Sequence, residues 1–199
     1  MITSVVAQRP GRLERPLGLA HVGARERDNS VQGAESIAIR EAVSDDLAGV
    51  LAIYNEVIAF STAVFSEQAV TLEDRQRWLA VRHEQGYPVL VACDSSGVVG
   101  FGSFGDFRAW PGYRYTVEHS VHVRADRRGE GIGTELVRAL IERAAALGKH
   151  VMIAGVEAEN AASIRLHERL GFTVAARLSE VAWKFDRWLD LVFLERRLP

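Results

Sequence analysis

Glycine and arginine crowd together in the stretch "RADRRGEGIGTE" (residues 124–135), directly before a segment with helical spacing. Glycine is a poor helix former, so its use at a first helical turn calls for a reason. A glycine loop lets backbone N–H groups point outward together, and a helix N-terminus adds partial positive charge. With Arg124, Arg127 and Arg128 at its rim, the stretch is a candidate diphosphate site. A glycine-rich turn into an ordinary surface helix stays open as the alternative.

Glu118 is the candidate for proton transfer. Alternation along "TVEHSVHV" (residues 116–123) puts Glu118 on the same face of a predicted strand as two other polar residues. A carboxylate held just ahead of the glycine loop can act as a general base. The alternative is a glutamate at the rim of a sheet, paired with Arg108 or Arg114, and such a pair would lower the pKa of Glu118.

Other chemistries and partners are not expected. Cys93 lies in the apolar run "VLVACD", and a buried cysteine is usually inert packing rather than a nucleophile. The six histidines show no paired metal-ligand spacing with carboxylates, so no metal is expected. The formal net charge of -2 gives no overall basic field for nucleic acid, and the apolar runs are strand-sized rather than membrane-spanning.

The elements that must position these residues alternate between strands and helices. In chain order the sequence predicts a strand near 37–42, a helix capped by Ser44 or Asp45, a helix from Thr71 to Gly86, a hairpin around 94–97, a strand over 113–123, a helix to about Leu147, a strand over 150–156, a helix from Asn160 to Gly171, and two strands joined around 184–187. This order indicates an α/β domain with a mixed sheet. The helix between residues 123 and 150 predicts that the strands on either side of it lie parallel.

The first 36 residues differ from the rest. They mix arginine, glycine and proline without a sustained period, so we expect a poorly ordered N-terminal extension over 1–36 and a domain over 37–199. Glu14, Glu26 and Asp28 count against an amphipathic targeting helix there. The single cysteine allows no intrachain disulfide, and the cytoplasm is the expected location.

Two motifs together resemble the signature of the GNAT N-acetyltransferases. "RGEGIG" (128–133) is similar to the family's R/Q-x-x-G-x-G/A loop, and "NAASIRLHERLGF" (160–172) is similar to the second half of the signature. Within the family, "TVEHSVHV" (116–123) and "FDRWLDLVF" (185–193) resemble the phosphinothricin and methionine-sulfone acetyltransferase group. The resemblance covers about residues 37–198. It implies a GNAT fold, with a mixed, mostly antiparallel sheet of about six to seven strands, about four helices and a parallel pair splayed at the cofactor.

The resemblance implies acetyl-CoA as co-substrate and assigns its binding residues. Backbone groups of β-strand residues at 121–123 would hold the pantetheine arm as if it were another strand. The amides of 129–134 would hold the diphosphate, and Asn160 the far part of the pantetheine, with a plain helix N-cap as the alternative for Asn160. The implied cofactor-binding residues are Val121, His122, Val123, Arg128, Gly129, Glu130, Gly131, Ile132, Gly133, Thr134, Asn160 and Ser163.

The resemblance also implies direct attack of an amine on the acetyl thioester, with Glu118 as base. Many members place a tyrosine acid where this sequence has His167, so His167 is either the acid for the thiolate or a helix residue packed beside the cofactor. The implied acceptor residues are Phe65, Arg108, Tyr113 and Arg114, which suit a small amino-acid-like amine. Phosphinothricin, methionine sulfone and methionine sulfoximine are the group's typical acceptors. Protein N-terminal or lysine acetylation, a non-catalytic acyl-CoA sensor and a nucleotide-binding module are the alternatives, and a homodimer is expected from the group.

Overall fold

The computed structural model describes residues 36–199, and the extension expected over 1–36 falls almost entirely outside this range. Seven strands and four α-helices form the described part of the chain. The strands are β1 (Ala38–Glu41), β2 (Val89–Asp94), β3 (Gly97–Asp106), β4 (Thr116–Val123), β5 (Val151–Glu157), β6 (Thr173–Lys184) and β7 (Arg187–Arg197). The helices are α1 (Leu47–Phe60), α2 (Leu72–Glu84), α3 (Ile132–Ala146) and α4 (Ala161–Arg169). The expected α/β class and the numbers of strands and helices are confirmed.

The strands form one sheet in the order β1-β2-β3-β4-β5-β7-β6. All neighbours are antiparallel except β4 and β5, which are parallel as the crossover helix predicts. The β4–β5 register runs from Thr116↔Val151 to His119↔Ala154 and then stops, although both strands continue. The two strands therefore separate towards their carboxyl ends, and the predicted splayed pair is confirmed.

The two faces of the sheet are covered by different helices. The apolar face of α3 predicted from its four-residue spacing is buried against β2, β3 and β4, in a core with Phe104 and Val121. On the opposite face α1 and α2 pack over Phe101 and Val91. Along β4 the odd-numbered side chains face α3 and α4, so Glu118 and His122 face the α1 side. None of the helices between residues 36 and 199 is long and apolar enough to cross a bilayer.

Most helix ends follow their sequence signals. Thr71 and Asp74 form the predicted capping box, each side chain bonding the backbone N–H of the other residue. The predicted cap of α1 by Ser44 or Asp45 is wrong. A 3-10 turn at Ser44–Asp46 precedes α1, and the carboxylate of Asp46 instead accepts from the Val43 N–H while pairing with Arg40.

The strand predicted over 113–123 begins later than expected. Residues Pro111–Tyr113 form a 3-10 turn, and β4 starts at Thr116. Proline fixes φ near the value that a helical turn needs and cannot donate to a strand ladder, which explains the delay. Residues 107–115 thus form a loop that leads into β4, and the N–H of Phe107 closes this loop on the carbonyl of Thr116 at 3.2 Å.

Candidate functional site

The candidate site is the cleft where β4 and β5 separate. Beyond His119 the β4 edge, residues 120–123, no longer pairs with β5, so its backbone groups on that side can receive an extended ligand. The glycine loop lies at the carboxyl end of β4, and α4 follows β5 after a short turn. The splay therefore brings the two sequence motifs to the mouth of one cleft.

Glu118 lies on the last rungs before the strands part, opposite Ile153 on β5 and Gly105 on β3. Its side chain is buried, with the residue 7% exposed. Burial raises the pKa of Glu118 to about 7, while the nearby charge of Arg108 acts in the opposite direction. A carboxyl with this pKa is half ionised near neutral pH, which suits a general base. The alternative of a rim glutamate held by an arginine fits poorly, because burial outweighs the arginine.

Arg108 is set on an aromatic wall beside this carboxyl. Its guanidinium lies 4.0 Å from the centre of the Phe107 ring, and its Nη1 donates to the Phe107 carbonyl at 2.8 Å. The Phe107 ring also packs edge-on against Tyr113 and against Phe193 of β7. The aromatic wall is thus continuous from the 107–115 loop to β7. The Arg108 guanidinium that lies on it acts to lower the pKa of Glu118.

The other predicted acceptor residues are placed less closely. Arg114 is exposed, stacks over Tyr115 at 4.6 Å and donates to the Pro111 carbonyl at 3.2 Å. Of the two arginines, Arg108 is therefore the better placed to meet a ligand at Glu118. Phe65 is half-buried in the loop that follows α1.

The glycine loop has the conformation that an anion site needs. Gly129 and Gly131 both have φ of 87°, in the left-handed region, and Gly131 is the N-cap of α3. A side chain at Gly131 would meet no neighbour, so the residue is required there for its backbone conformation. With glycine at the cap, the first N–H groups of α3 have no side-chain cap bond and face outward.

The rim arginines are distributed differently from the expectation. Arg124 pairs with Asp126, and Arg127 pairs with Asp94 and Glu130, so both charges are largely neutralised within the loop. Arg128 instead turns inward, and its Nε donates to the carbonyl of Val123, the last residue of β4, at 3.0 Å. Arg128 therefore ties the glycine loop to the open strand.

Several predicted cofactor residues can contribute only backbone groups. Val121, Val123 and Ile132 point into the core beneath α3. The His122 imidazole is buried against Tyr54 and Phe101, and burial lowers its pKa to about 3, so it stays neutral. The remaining loop residues, Glu130, Gly133 and Thr134, lie at the turn into α3 or within its first turn.

Asn160 caps α4 and also lines a small pocket. Its side-chain oxygen accepts from the Ser163 N–H at 3.0 Å, as the N-cap alternative predicts. It also borders a pocket of about 200 Å³, which is lined by Phe60, Ser61, Thr62, Arg128, Glu157, Asn160 and Phe185. The cap and a ligand role are compatible, because the pocket that Asn160 borders reaches both sides of the splay.

His167 is poorly suited to donate a proton. It is buried, and its Nδ1 lies 2.7 Å from the Ser163 carbonyl, so Nδ1 carries the hydrogen and Nε2 does not. Burial lowers the pKa of His167 to about 4, although the bond to Ser163 raises it slightly. The ring stacks on His119 and packs edge-on against Phe172. These features favour the packing alternative over the acid.

Sequence reasoning missed several residues of this cleft. Phe107 could have been suspected from its place beside Arg108, but Gly155, Glu157 and Lys184 gave no local signal. Glu157 accepts from the Thr62 hydroxyl at 3.1 Å, joining the loop after α1 to β5. Lys184 joins the same loop to the β6–β7 turn through three backbone carbonyls.

Other parts of the described chain offer less chemistry. A cleft of about 570 Å³ between α1 and the β2–β3 hairpin includes Cys93, whose thiol has a pKa raised by burial, and the Arg40–Asp46 pair. Within its lining, the Arg40–Asp46 pair is a bidentate ion pair, so neither charge is left for a ligand. Between residues 36 and 199 no cluster of three or more His, Cys, Asp or Glu side chains is arranged to hold a metal ion.

Comparisons with known proteins agree with this geometry. Residues 50–172 match the family described as "Acetyltransferase (GNAT) family". An L-methionine sulfoximine/L-methionine sulfone acetyltransferase from Pseudomonas paraeruginosa is 52% identical over 164 residues, covering 82% of this chain and 95% of that protein. A phosphinothricin N-acetyltransferase from Streptomyces coelicolor is 34% identical, covering 83% of this chain and 99% of that protein. The structure of a putative acetyltransferase from Salmonella typhimurium with its cofactor acetyl-CoA superposes with a TM-score of 0.80 at 46% identity, covering 82% of this chain and 94% of that chain.

Proposed function

The chain belongs to the GNAT acetyltransferase family, and we propose that it transfers the acetyl group of acetyl-CoA to the primary amine of a small amino-acid-like acceptor. The observation that carries this proposal is Glu118, a buried carboxyl with a pKa of about 7 at the point where β4 and β5 part. Beside it, Arg108 lies on an aromatic wall. Base, cofactor cleft and carboxylate-binding cation thus lie next to one another.

In this proposal acetyl-CoA enters the splay as an added strand. The pantetheine arm lies along residues 120–123, and the diphosphate lies on the amides of residues 129–134 at the N-terminus of α3. The side chain of Asn160 borders the pocket at the splay, where the arm would pass. Support comes from the unpaired β4 edge, the left-handed glycines and the relative solved with acetyl-CoA.

The amine attacks the thioester carbon directly. Free α-amines have a pKa of about 8, so most acceptor molecules carry an extra proton at pH 7. Glu118 takes that proton, directly or through one water, and the neutral nitrogen forms the new C–N bond. The C–S bond then breaks, and the electron pair leaves with the sulfur.

The departing thiolate does not need His167 as an acid. A thiol has a pKa of about 8.5, so the thiolate leaves readily and can take a proton from the nitrogen of the product or from water. With Nδ1 tied to Ser163 and a pKa of about 4, His167 has no proton to give from Nε2 near pH 7. We assign His167 to packing between α4 and β4.

The acceptor is held on the side of the 107–115 loop. Arg108 can bind a carboxylate through two N–H groups, and Phe107 and Tyr113 supply an apolar wall for the side chain. Phe65 and Arg114 are proposed to complete the pocket. The relatives that act on methionine sulfoximine, methionine sulfone and phosphinothricin support acceptors with an α-amine, a carboxylate and a compact polar side chain.

A homodimer through β6 is part of the proposal. β6 is the edge strand of the sheet, and the chain along it is mostly exposed, including Val174, Leu178, Val181 and Trp183. An exposed apolar edge strand is a template for pairing with another chain. A second copy of this chain is the proposed partner, because two β6 edges can pair with each other and each then covers the exposed apolar side chains of the other. The cytoplasm, with one cysteine in the chain, remains the proposed location.

Thiol release from acetyl-CoA tests the proposed function. The amines to compare are methionine sulfone, methionine sulfoximine, phosphinothricin and a lysine peptide, with the wild type and Glu118→Gln. We expect release with the amino acids and a rise of kcat/KM with pH through about 7. Glu118→Gln should lose about 10²-fold or more at pH 7 and less at pH 9.5, where the amine is already neutral.

Glu159→Gln is the matched control, since Glu159 is an exposed carboxylate on the turn after β5. It should leave the rate and the pH profile unchanged. Release only with the peptide would overturn the amino-acid acceptor. An unchanged pH profile in Glu118→Gln would overturn the base.

A further inference from the structure

Gly155 lies beside Glu118 in the interior of β5. A Cβ atom placed on Gly155 would stand 3.1 Å from Oε1 of Glu118 and 3.6 Å from Leu191 Cδ1 and Phe193 Cε1. The φ of Gly155 lies outside the left-handed region, so the backbone does not demand glycine there. Glycine weakens a strand interior, and its use usually marks a close approach. Here the close approach is that of the Glu118 carboxyl.

The Glu118 carboxyl and the side chains of Leu191 and Phe193 surround the space above Gly155. Phe193 is the register partner of Gly155 on β7, and Leu191 is the partner of Glu157, two residues further along β5. Because position 155 has no side chain, the Glu118 carboxyl and these two β7 side chains all border the space that a Cβ there would fill. We call Gly155, Leu191 and Phe193 together the apolar cup of this carboxyl.

The cup bears on both the pKa of Glu118 and the wall of the proposed acceptor pocket. Burial raises the pKa of Glu118, and the apolar side chains of the cup are part of the surroundings in which it is buried. The charge of Arg108 acts on the pKa of this carboxyl in the opposite direction, and Phe107, the ring beneath Arg108, also contacts Phe193. One aromatic side chain therefore touches both the cup of the base and the wall of the acceptor pocket.

We propose that Gly155 is a positioning residue for the general base, holding open the place that the Glu118 carboxyl occupies against β7. The inference rests on the proposed role of Glu118 and adds where that carboxyl must lie. A side chain at 155 displaces the carboxyl towards Arg108 and water. Both changes favour the charged form, so the base becomes weaker as well as misplaced.

Gly155→Ala tests this, because its methyl group needs Glu118 to move by a few tenths of an ångström. We expect kcat/KM on the plateau to fall roughly fivefold, since small misplacements of reacting groups are costly. The midpoint of the acidic limb should move to lower pH. The Kd for acetyl-CoA, measured calorimetrically, should stay within about twofold, which also shows that the variant is folded.

A double-mutant cycle separates positioning from general damage. In the Glu118→Gln background, Gly155→Ala should cost little further activity, because the base that it displaces is already absent. If the two losses multiply in full, or if the acidic limb of Gly155→Ala keeps the wild-type midpoint, the inference is overturned. If Glu118→Gln itself keeps the wild-type rate and pH profile, the proposed base has failed instead, and the two failures are distinguished.

Gly100→Ala is the matched control for overpacking. A Cβ there would meet the His122 carbonyl at 3.1 Å and Ile132 and Leu136 at 3.2 Å, on the α3 face of the sheet. It should lower the melting temperature without moving the acidic limb. Leu191→Ala is the second variant, since it opens the cup to water without pushing the carboxyl. It should move the limb to lower pH, and an unmoved limb would contradict the cup.

Discussion

Lys184 supports the strongest prediction about how the fold holds the acceptor side of the cleft. It is fully buried as the last residue of β6, directly before the turn to β7. Its Nζ donates to the carbonyls of Ile58, Ser61 and Val64 at 2.7, 2.6 and 2.8 Å. An ammonium has three N–H donors, and each meets one acceptor. Burial lowers the pKa of Lys184 to about 8, which still leaves it mainly charged at pH 7.

Lys184→Met keeps the length of the side chain and removes all three bonds. Hydrogen bonds to a charged group contribute about 1.5–3 kcal/mol each, but these three share one cation and are not additive. Ser61 is half-buried and regains some water. We therefore expect a loss of about 3 kcal/mol in the free energy of unfolding, or a melting temperature lower by about 6–12 °C for a domain of this size.

Urea denaturation at pH 7 measures this loss as a change of midpoint at constant slope. The acceptor KM should rise as well, because the loop that Lys184 holds carries Phe65. Arg187→Met is the control in the same hairpin, where an exposed ion pair with Glu159 contributes less than about 1 kcal/mol. A loss in Lys184→Met no greater than that of the control would refute the reasoning.

Three further predictions concern the cap, the histidine and the edge strand. Asn160→Ala should cost about 1 kcal/mol of stability and also raise the Kd for acetyl-CoA, whereas Asn160→Asp should restore the stability alone. Melting curves measure the stability and calorimetry measures the Kd. An unchanged Kd in Asn160→Ala would mean that Asn160 is only a helix cap. The His167 ring should show no NMR titration between pH 5.5 and 8, because burial lowers its pKa to about 4; a midpoint near 6.5 would return it to the candidates for general acid. Leu178→Glu should convert the proposed dimer to a monomer in sedimentation, with the fold retained; a wild type that is already monomeric at micromolar concentration would contradict the β6 interface.

Local signals in the sequence predicted the parts of this protein that depend on local physics. The capping box at Thr71 and the glycine stops at Gly86 and Gly171 are set by residues a few positions apart, and each is confirmed. The parallel pairing of β4 and β5 followed from one crossover helix between two apolar runs, whereas their splay was implied by the family resemblance. The late start of β4 was missed, because the aromatic residues around Pro111 have strand propensity that proline and glycine override.

The missed parts depend on contacts between distant segments. The bonds of Lys184 to residues 58–64 join positions more than a hundred residues apart, and a lone lysine in a turn is normally solvated. Gly155 became informative only when the register of β4, β5 and β7 placed it beside Glu118. The proton position on His167 depended on a carbonyl one helical turn away, which spacing alone does not fix.

The residue at which β4–β5 pairing ends divides β4 into two parts with different proposed roles. Up to His119 the ladder between β4 and β5 is closed, so Glu118 is held rigidly by both neighbouring strands. From residue 120 onward the ladder is open, and the same strand can pair with an extended ligand. The proposed base therefore lies two residues, or roughly 6.6 Å, from the start of the proposed cofactor edge.

The acceptor side is built on different elements, the loops at 61–70 and 107–115. Both loops are anchored from outside the cleft, the first by Lys184 and the second by Lys149, whose Nζ donates to the Arg114 carbonyl at 2.8 Å and the Tyr87 hydroxyl at 2.9 Å. Substitutions in these loops can then change which amine is held without moving the base or the cofactor edge. Exchanging Phe107 or Tyr113 should therefore alter acceptor KM while the Kd for acetyl-CoA and the acidic limb of the pH profile stay fixed. A parallel change in all three would mean that the loops and the strand pair act as one unit.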